Sequence, residues 1–202
     1  MRTSPVSSRL EAGARLAQRR LATVMDQVVL VPDPERLVHL QFRRFACCPV
    51  CNLHLRSFAQ RYDEIEAAGL REVAVFHSSN AALRPYTADL PFAVVGDPEK
   101  RLYAEFGVES APRALLDPRA WLGIVRSVLH TMWGMVREGR PAPPTDPEGG
   151  RLGLPADFLI ASDGRVLACY YGEHADDQWS VDDLLRLAQS ARETVAEPQS
   201  TA

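Results

Sequence analysis

Three of the four cysteines lie in the five residues Cys47-Cys48-Pro49-Val50-Cys51, directly after the run Leu37 to Phe45. The run reads as a buried strand, and the residues after Pro49 read as the start of a helix. A strand that feeds Cys-x-x-Cys into a helix places the first sulfur beside free backbone N–H groups and the positive end of the helix dipole. There the thiolate is favoured over the thiol. Two intervening residues return the second sulfur to bonding distance, so Cys48 and Cys51 can cycle between dithiol and disulfide. Pro49 suits the first helical turn, where its missing N–H would have had no partner.

The neighbouring residues have more limited roles. Side chains alternate across a strand, so at most one of Arg43 and Arg44 points toward the sulfurs, and Arg44 is the candidate for stabilising a thiolate. Cys47 reads as a small packed residue, because adjacent cysteines rarely reach good disulfide geometry. Cys169 reads as inert core. Cys48, Cys51 and His54 share one helical face but lack the fourth ligand of a closed zinc site. His39 and His77, in or ending strands, read as packed or hydrogen-bonded, and His130 lies on the polar side of its helix.

The elements that must position the pair follow from periodicity. From Arg9 to Gln27, Leu10, Ala14, Ala17, Leu21, Val24 and Met25 recur at helical spacing, which predicts an amphipathic helix within an N-terminal arm, residues 1–34. Val28 to Val31 is β-rich and ends at Pro32. After Cys51 a helical stripe runs to Gly69, a candidate C-cap, and Glu72 to His77 reads as a strand. This is a β-α-β unit with the cysteines at its first turn, which implies a right-handed crossover and parallel pairing. Asn80 to Ala88 reads as a helix and Phe92 to Val95 as a strand. Asp97 opens a helix running to Phe106. Leu154 to Ile160, the turn Ser162-Asp163-Gly164 and Arg165 to Tyr171 form a hairpin. A last helix starts at Ser180, capped with Asp183, and residues 197–202 read as a flexible tail.

Prolines bracket residues 111–150, an insertion holding one helix, 121–137, whose apolar stripe includes Trp121, Met132 and Met135. Its own core is one surface that this stripe would cover; a second subunit is the alternative, giving a homodimer through that helix.

A chain of 202 residues with formal net charge −3 gives no global reason to expect nucleic acid or an acidic membrane surface as partner. No basic, apolar leader opens it and no run approaches a membrane span, so the expected compartment is the cytoplasm. In that reducing setting clustered cysteines are more often catalytic or metal-binding than structural. There is no nucleotide-binding glycine fingerprint, so no bound cofactor is expected.

This order of elements resembles the thioredoxin fold: α/β, a central mixed sheet flanked by helices, here over residues 35–196 with the inserted helical segment and the N-terminal helix. Asp97-Pro98-Glu99 followed by Tyr103 to Val108, and Phe158-Leu159-Ile160 ahead of Asp163-Gly164, resemble the peroxiredoxin and alkyl hydroperoxide reductase (AhpC/TSA) group, in its branch with Cys-Pro-x-Cys. The likeness covers roughly residues 35–110 and 153–190. It implies an antioxidant thiol oxidoreductase that reduces a peroxide or a protein disulfide, with electrons from a thioredoxin-like or low-molecular-weight thiol. Where peroxiredoxins carry their threonine and proline, this chain has Cys48 and Arg44. Where they carry a later arginine it has Pro155, which resembles the cis-proline that packs against the sulfurs in thioredoxins. A cis Leu154–Pro155 bond is energetically reasonable there, since an X-Pro bond loses only about 0.5–1 kcal/mol by going cis. The thioredoxin likeness makes Cys48 the attacking thiolate and Cys51 the resolver, as does the helix-terminus argument. The peroxiredoxin alignment reverses them. A redox-sensing or partner-binding module, with the dithiol as a switch, is the alternative function.

Overall fold

The structure is a computed structural model that describes residues 8–46, 48–108 and 152–196, together with 125–129, 132, 133, 137, 148 and 150. In chain order the elements are β1 (Arg19–Ala22), β2 (Val28–Val31), β3 (Leu37–Arg43), α1 (Pro49–Gln60), α2 (Tyr62–Ala67), β4 (Leu70–Phe76), α3 (Asn80–Thr87), β5 (Ala93–Gly96), α4 (Arg101–Glu105), β6 (Ala156–Ile160), β7 (Val166–Tyr171) and α5 (Val181–Ala196). Five strands form one mixed sheet in the order β5-β4-β3-β6-β7. β3 lies at its centre, parallel to β4 with Leu37 opposite Leu70, and antiparallel to β6 with Gln41 opposite Asp157. That is the thioredoxin-like arrangement the sequence implied.

Strand alternation gives β3 two unlike faces, both covered. Val38, Leu40 and Phe42 enter an apolar cluster with Val29, Val31, Tyr103, Phe106 and Phe158. The rings of Tyr103, Phe106 and Phe158 lie 5.0, 5.1 and 5.7 Å from that of Phe42. On the other side a second cluster joins Leu55 and Phe58 of α1, Leu83 of α3 and Leu184 of α5. His39, Gln41 and Arg43 are the alternate residues of β3, and they are equally buried.

Local chemistry sets the ends of the elements. Gly69 turns the chain at φ +61, where a side chain would be strained, and its carbonyl accepts from Leu37 N at 3.2 Å. The Asp97 carboxylate accepts from Arg101 N, Leu102 N and Tyr103 N at 3.0, 2.8 and 3.3 Å, fixing the start of α4. Ser180 and Asp183 bond reciprocally at the start of α5, as expected. The stripe after Cys51 is divided at Arg61 into α1 and α2.

The N-terminal helix is corrected. Residues 10–18 instead run along the edge of β7, with Gly13 N donating to Val166 O at 2.8 Å and Leu16 N to Gly164 O at 2.9 Å. β1 then pairs antiparallel with β2, Arg19 opposite Val31. The edges of β2 and β7 offer hydrogen bonds that an isolated helix would leave unused, and Leu10, Ala14 and Leu21 reach the same core from extended backbone. The cis bond is also corrected. Leu154–Pro155 is trans, and the cis bond found is Val31–Pro32. The Pro155 carbonyl accepts from Gly172 N at 2.9 Å, which prolongs the pairing of β6 with β7 and keeps this stretch extended.

The expected helix 121–137 is helical where it is described, at 125–129, 132, 133 and 137. Trp121 and Met135, and the tail from 197, lie outside the described residues. Val125, Leu129, Met132 and Trp133 are exposed. No helix among the described residues is long and apolar enough to cross a membrane.

Phe42 is the aromatic hub of one face. Phe42→Ala is expected to cost about 3–5 kcal/mol and to lower the thermal midpoint by roughly 10 °C, measurable in a calorimetric scan; a loss below 1 kcal/mol would contradict that role.

Candidate active site

The site is built where β3 gives way to α1. Cys48 is the N-cap of α1, and its sulfur accepts from Cys51 N at 3.3 Å. Pro49 occupies the first helical position, and Cys51 falls one turn along, facing back toward Cys48. Both cysteines are free thiols, and they are only 1% and 3% exposed. Cys47 lies outside the described residues.

Of the consecutive arginines, Arg44 turns to the sulfurs. It is buried, and its positive charge acts on both Cys48 and Cys51. Two buried thiols beside one cation lose a first proton readily and a second with difficulty. Burial alone raises Cys51, but the bond donated by the Cys48 thiol and then the Arg44 charge bring it below the ordinary cysteine range. Burial and that same donated bond push Cys48 up, and Arg44 offsets them only in part. The helix-terminus argument found the N–H that reaches Cys48.

Arg43 belongs to a different set. Its Nε donates to Gln41 Oε1 at 2.7 Å, and its Nη2 donates to Asp157 Oδ1 at 2.7 Å and to His54 Nε2 at 3.0 Å. His39 bonds Glu72 through Nδ1 at 2.7 Å and Asp157 through Nε2 at 3.3 Å, and Gln41 closes the ring by donating to Glu72. With both ring nitrogens donating to carboxylates, His39 is an imidazolium. Two cations and two carboxylates then balance out of water. His39 is held between the rings of Phe58 and Trp179, at 5.5 and 5.8 Å. His54, on the helical face of the cysteines, is turned to Arg43, whose charge, after burial, keeps it neutral.

His77 was expected to be packed or hydrogen-bonded; it is packed, while neither ring nitrogen has a hydrogen-bond partner among the described residues. Burial, then the Lys100 charge, lowers it to about 4, so it is neutral. It stands beside Arg44, whose Nε also lacks a partner. A Cβ on Gly153 would come within 2.9 Å of His77 Nε2 and 3.4 Å of Arg44 Cγ, so only glycine lets the chain pass there. The Pro155 carbonyl accepts from Gly172 N, and a Cβ on Gly172 would meet the Pro155 ring at 2.7 Å. The Cys169 thiol donates to Leu10 O at 3.3 Å, on the β7 side of the sheet.

The model of the AhpC/TSA antioxidant enzyme family matches residues 57–174, more than half of the chain. The chain belongs to that family. The match begins after Cys51, so the family's frame is recognised independently of the Cys48–Cys51 pair. Solved AhpC/TSA-like structures agree on the fold. Peroxidoxin BcpB of Mycobacterium tuberculosis aligns with TM-score 0.62 and 14% identity over 90% of this chain and 97% of its own. A cysteine-to-serine mutant of peroxiredoxin 6 from Arenicola marina aligns with TM-score 0.66 and 14% identity over 95% and 80%. A thiol:disulfide interchange protein DsbE from Chlorobium tepidum aligns with TM-score 0.53 and 20% identity over 89% and 99%. No curated protein matches the sequence. This AhpC/TSA chain is a thiol oxidoreductase by kind.

The charge network gives stability a pH signature. Burial lowers His39, but the Glu72 charge and the bond to Asp157 together raise it from 6.5 to about 9. A raised folded pKa contributes stability that is complete below pH 6.5 and is lost as pH climbs through about 9. Asp157 is held below the carboxylate range despite burial, chiefly by Arg43, and its contribution fails only in acid. Urea midpoints are therefore expected to fall between pH 6.5 and 9, and His39→Gln, which strands Glu72, is expected to cost about 3–5 kcal/mol. A flat wild-type profile over that interval would refute the imidazolium assignment.

Proposed function

We propose that this AhpC/TSA protein is a thiol-dependent peroxidase in which Cys51 is the attacking thiolate, Cys48 the resolving thiol and Arg44 the electrostatic partner of both. The observation that carries the reading is the buried Arg44 guanidinium on the two sulfurs. It does for Cys51 what a charge-stabilising arginine does in a peroxidatic site, although it comes from the strand before the motif. Its unpaired Nε is a donor for the peroxide oxygen.

The Cys51 thiolate attacks one oxygen of ROOH. The S–O bond forms, the O–O bond breaks and RO⁻ leaves, taking a proton to become ROH. Cys48, having given up its proton, attacks the sulfur of the Cys51 sulfenic acid. The disulfide forms and hydroxide leaves as water after protonation by solvent. Two thiols have lost two electrons and the peroxide has gained them. Both sulfurs are almost fully covered, and the edge beside Pro155 is engaged, which favours a small oxidant over a protein disulfide.

Stopped-flow mixing with hydrogen peroxide tests the roles. Cys51→Ser is expected to abolish the first turnover, whereas Cys48→Ser should still react once and stop at the sulfenic acid. Arg44→Met should slow the reaction about 100-fold and move the midpoint of its pH–rate profile upward, since the wild-type midpoint lies below the ordinary cysteine value. Survival of peroxide consumption in Cys51→Ser with loss in Cys48→Ser would reverse the two cysteines. Rapid exchange with a protein disulfide and no peroxide reaction would replace the peroxidase by a disulfide reductase.

A further inference from the structure

The β1–β2 hairpin does more than extend the sheet. Between it and the β4–β5 side lies a cleft with about 600 Å³ of free space, the size of a small-molecule site. Val28, Val29 and Leu30 form one wall, and Phe92, Ala93 and Val94 the other. No cysteine borders it. The hairpin precedes residues 57–174, so one wall is built from residues outside the family match. Met25 and Val28 stand at the rim, 56% and 52% exposed.

Two donors converge on this mostly apolar space. Asp33 is held by the turn after β2, its Oδ1 accepting from Glu35 N and Arg36 N at 2.9 and 3.1 Å. Its Oδ2 accepts from Arg71 Nε at 2.9 Å. Arg71 is thus gripped by one edge, and its Nη1 and Nη2 have no hydrogen-bond partner among the described residues, although it lines the cleft. Tyr62 also lines it, with its ring 6.0 Å from that of Phe92 and no hydrogen bond to its hydroxyl among the described residues. Burial, then the Glu66 charge, push that hydroxyl up, and the Arg71 and Arg36 charges offset them only in part. It therefore stays a protonated donor within reach of Arg71.

We propose that this cleft binds a small amphipathic carboxylate, with its charge on the Nη1–Nη2 fork of Arg71 and the Tyr62 hydroxyl and its hydrocarbon part between β2 and β5. A guanidinium fork matches the two oxygens of a carboxylate. The acids on the same walls do not compete for it. Asp33 has its oxygens engaged, those of Glu72 are taken by His39 and Gln41, and Glu35 is exposed. A cation would find no buried acceptor left there among the described residues. A phosphate ester would bring close to two negative charges to a single cation flanked by Asp33 and Glu35, so a monoanion fits better.

Calorimetric titration of the full-length protein with octanoate, octanol, octylamine and octyl phosphate tests this. Octanoate is expected to saturate at one per chain, and the other three to bind at least about 10-fold more weakly. Arg71→Met should weaken octanoate about 10-fold or more and Tyr62→Phe about 5-fold. Arg71→Met also leaves Asp33 without its cation, so Val28→Glu, at an exposed rim position that touches neither residue's ion pair, provides the independent arm and should weaken octanoate by a similar factor. Octanol binding as tightly as octanoate would reduce the cleft to an apolar groove, and tighter binding of octyl phosphate or octylamine would overturn the carboxylate assignment. Absence of saturation, or octanoate binding unmoved by both Arg71→Met and Val28→Glu, would overturn the site itself.

Discussion

Ionised groups taken out of water must be neutralised at once, and that constraint governs how the helix carrying the cysteines sits on the sheet. His39, Arg43, Glu72 and Asp157 come from three neighbouring strands, β3, β4 and β6, and they balance only in the observed register. A one-residue slip of β3 would send every one of its side chains to the opposite face and leave carboxylates unpaired. α1 closes over the network through His54 and Phe58. The cysteines at the start of α1 thereby inherit a position set by charge balance deeper in the fold.

Above that foundation the two cysteines occupy unlike surroundings. A helix N-terminus lends one N–H to Cys48, while a cation and a neighbouring thiol act on Cys51. Burial opposes both ionisations, so the pair favours a single charge that is shared unequally between two sulfurs of the same kind. Two identical side chains thus differ in acidity by position alone.

Much of this was legible in the sequence. The Cys-Pro-Val-Cys run after an apolar strand placed both cysteines at the start of a helix, and strand alternation singled out Arg44 as the arginine on their side. Gly69, Asp97 and the Ser180–Asp183 pair marked element ends through local backbone chemistry that needs no distant partner. The misreadings share one physical cause. Leu10 to Met25 has helical periodicity, yet its hydrogen bonds go to β2 and β7, which a local pattern does not reveal. Pro155 looked like a cis-proline by its place in the order, but the partner that keeps it extended is Gly172 in the following strand. The buried-strand reading of Leu37 to Phe45 is right for His39, Gln41 and Arg43 too, through Glu72 and Asp157, partners far away in the chain that the sequence does not point to. The unpaired ring of His77 has no sequence signal, since it follows from what Gly153 lacks.

Arg43 and Arg44 are neighbours with opposite assignments, one to the foundation and one to the reaction. This adjacency limits how the family frame can diverge. A point substitution at either arginine touches a single place, but a single-residue insertion or deletion in β3 would disturb both, leaving a phenylalanine at one of the two places. The loop after β5 or the segment leading into β6 can change length around the site, whereas the last turn of the central strand is fixed in its count of residues as firmly as in their kind.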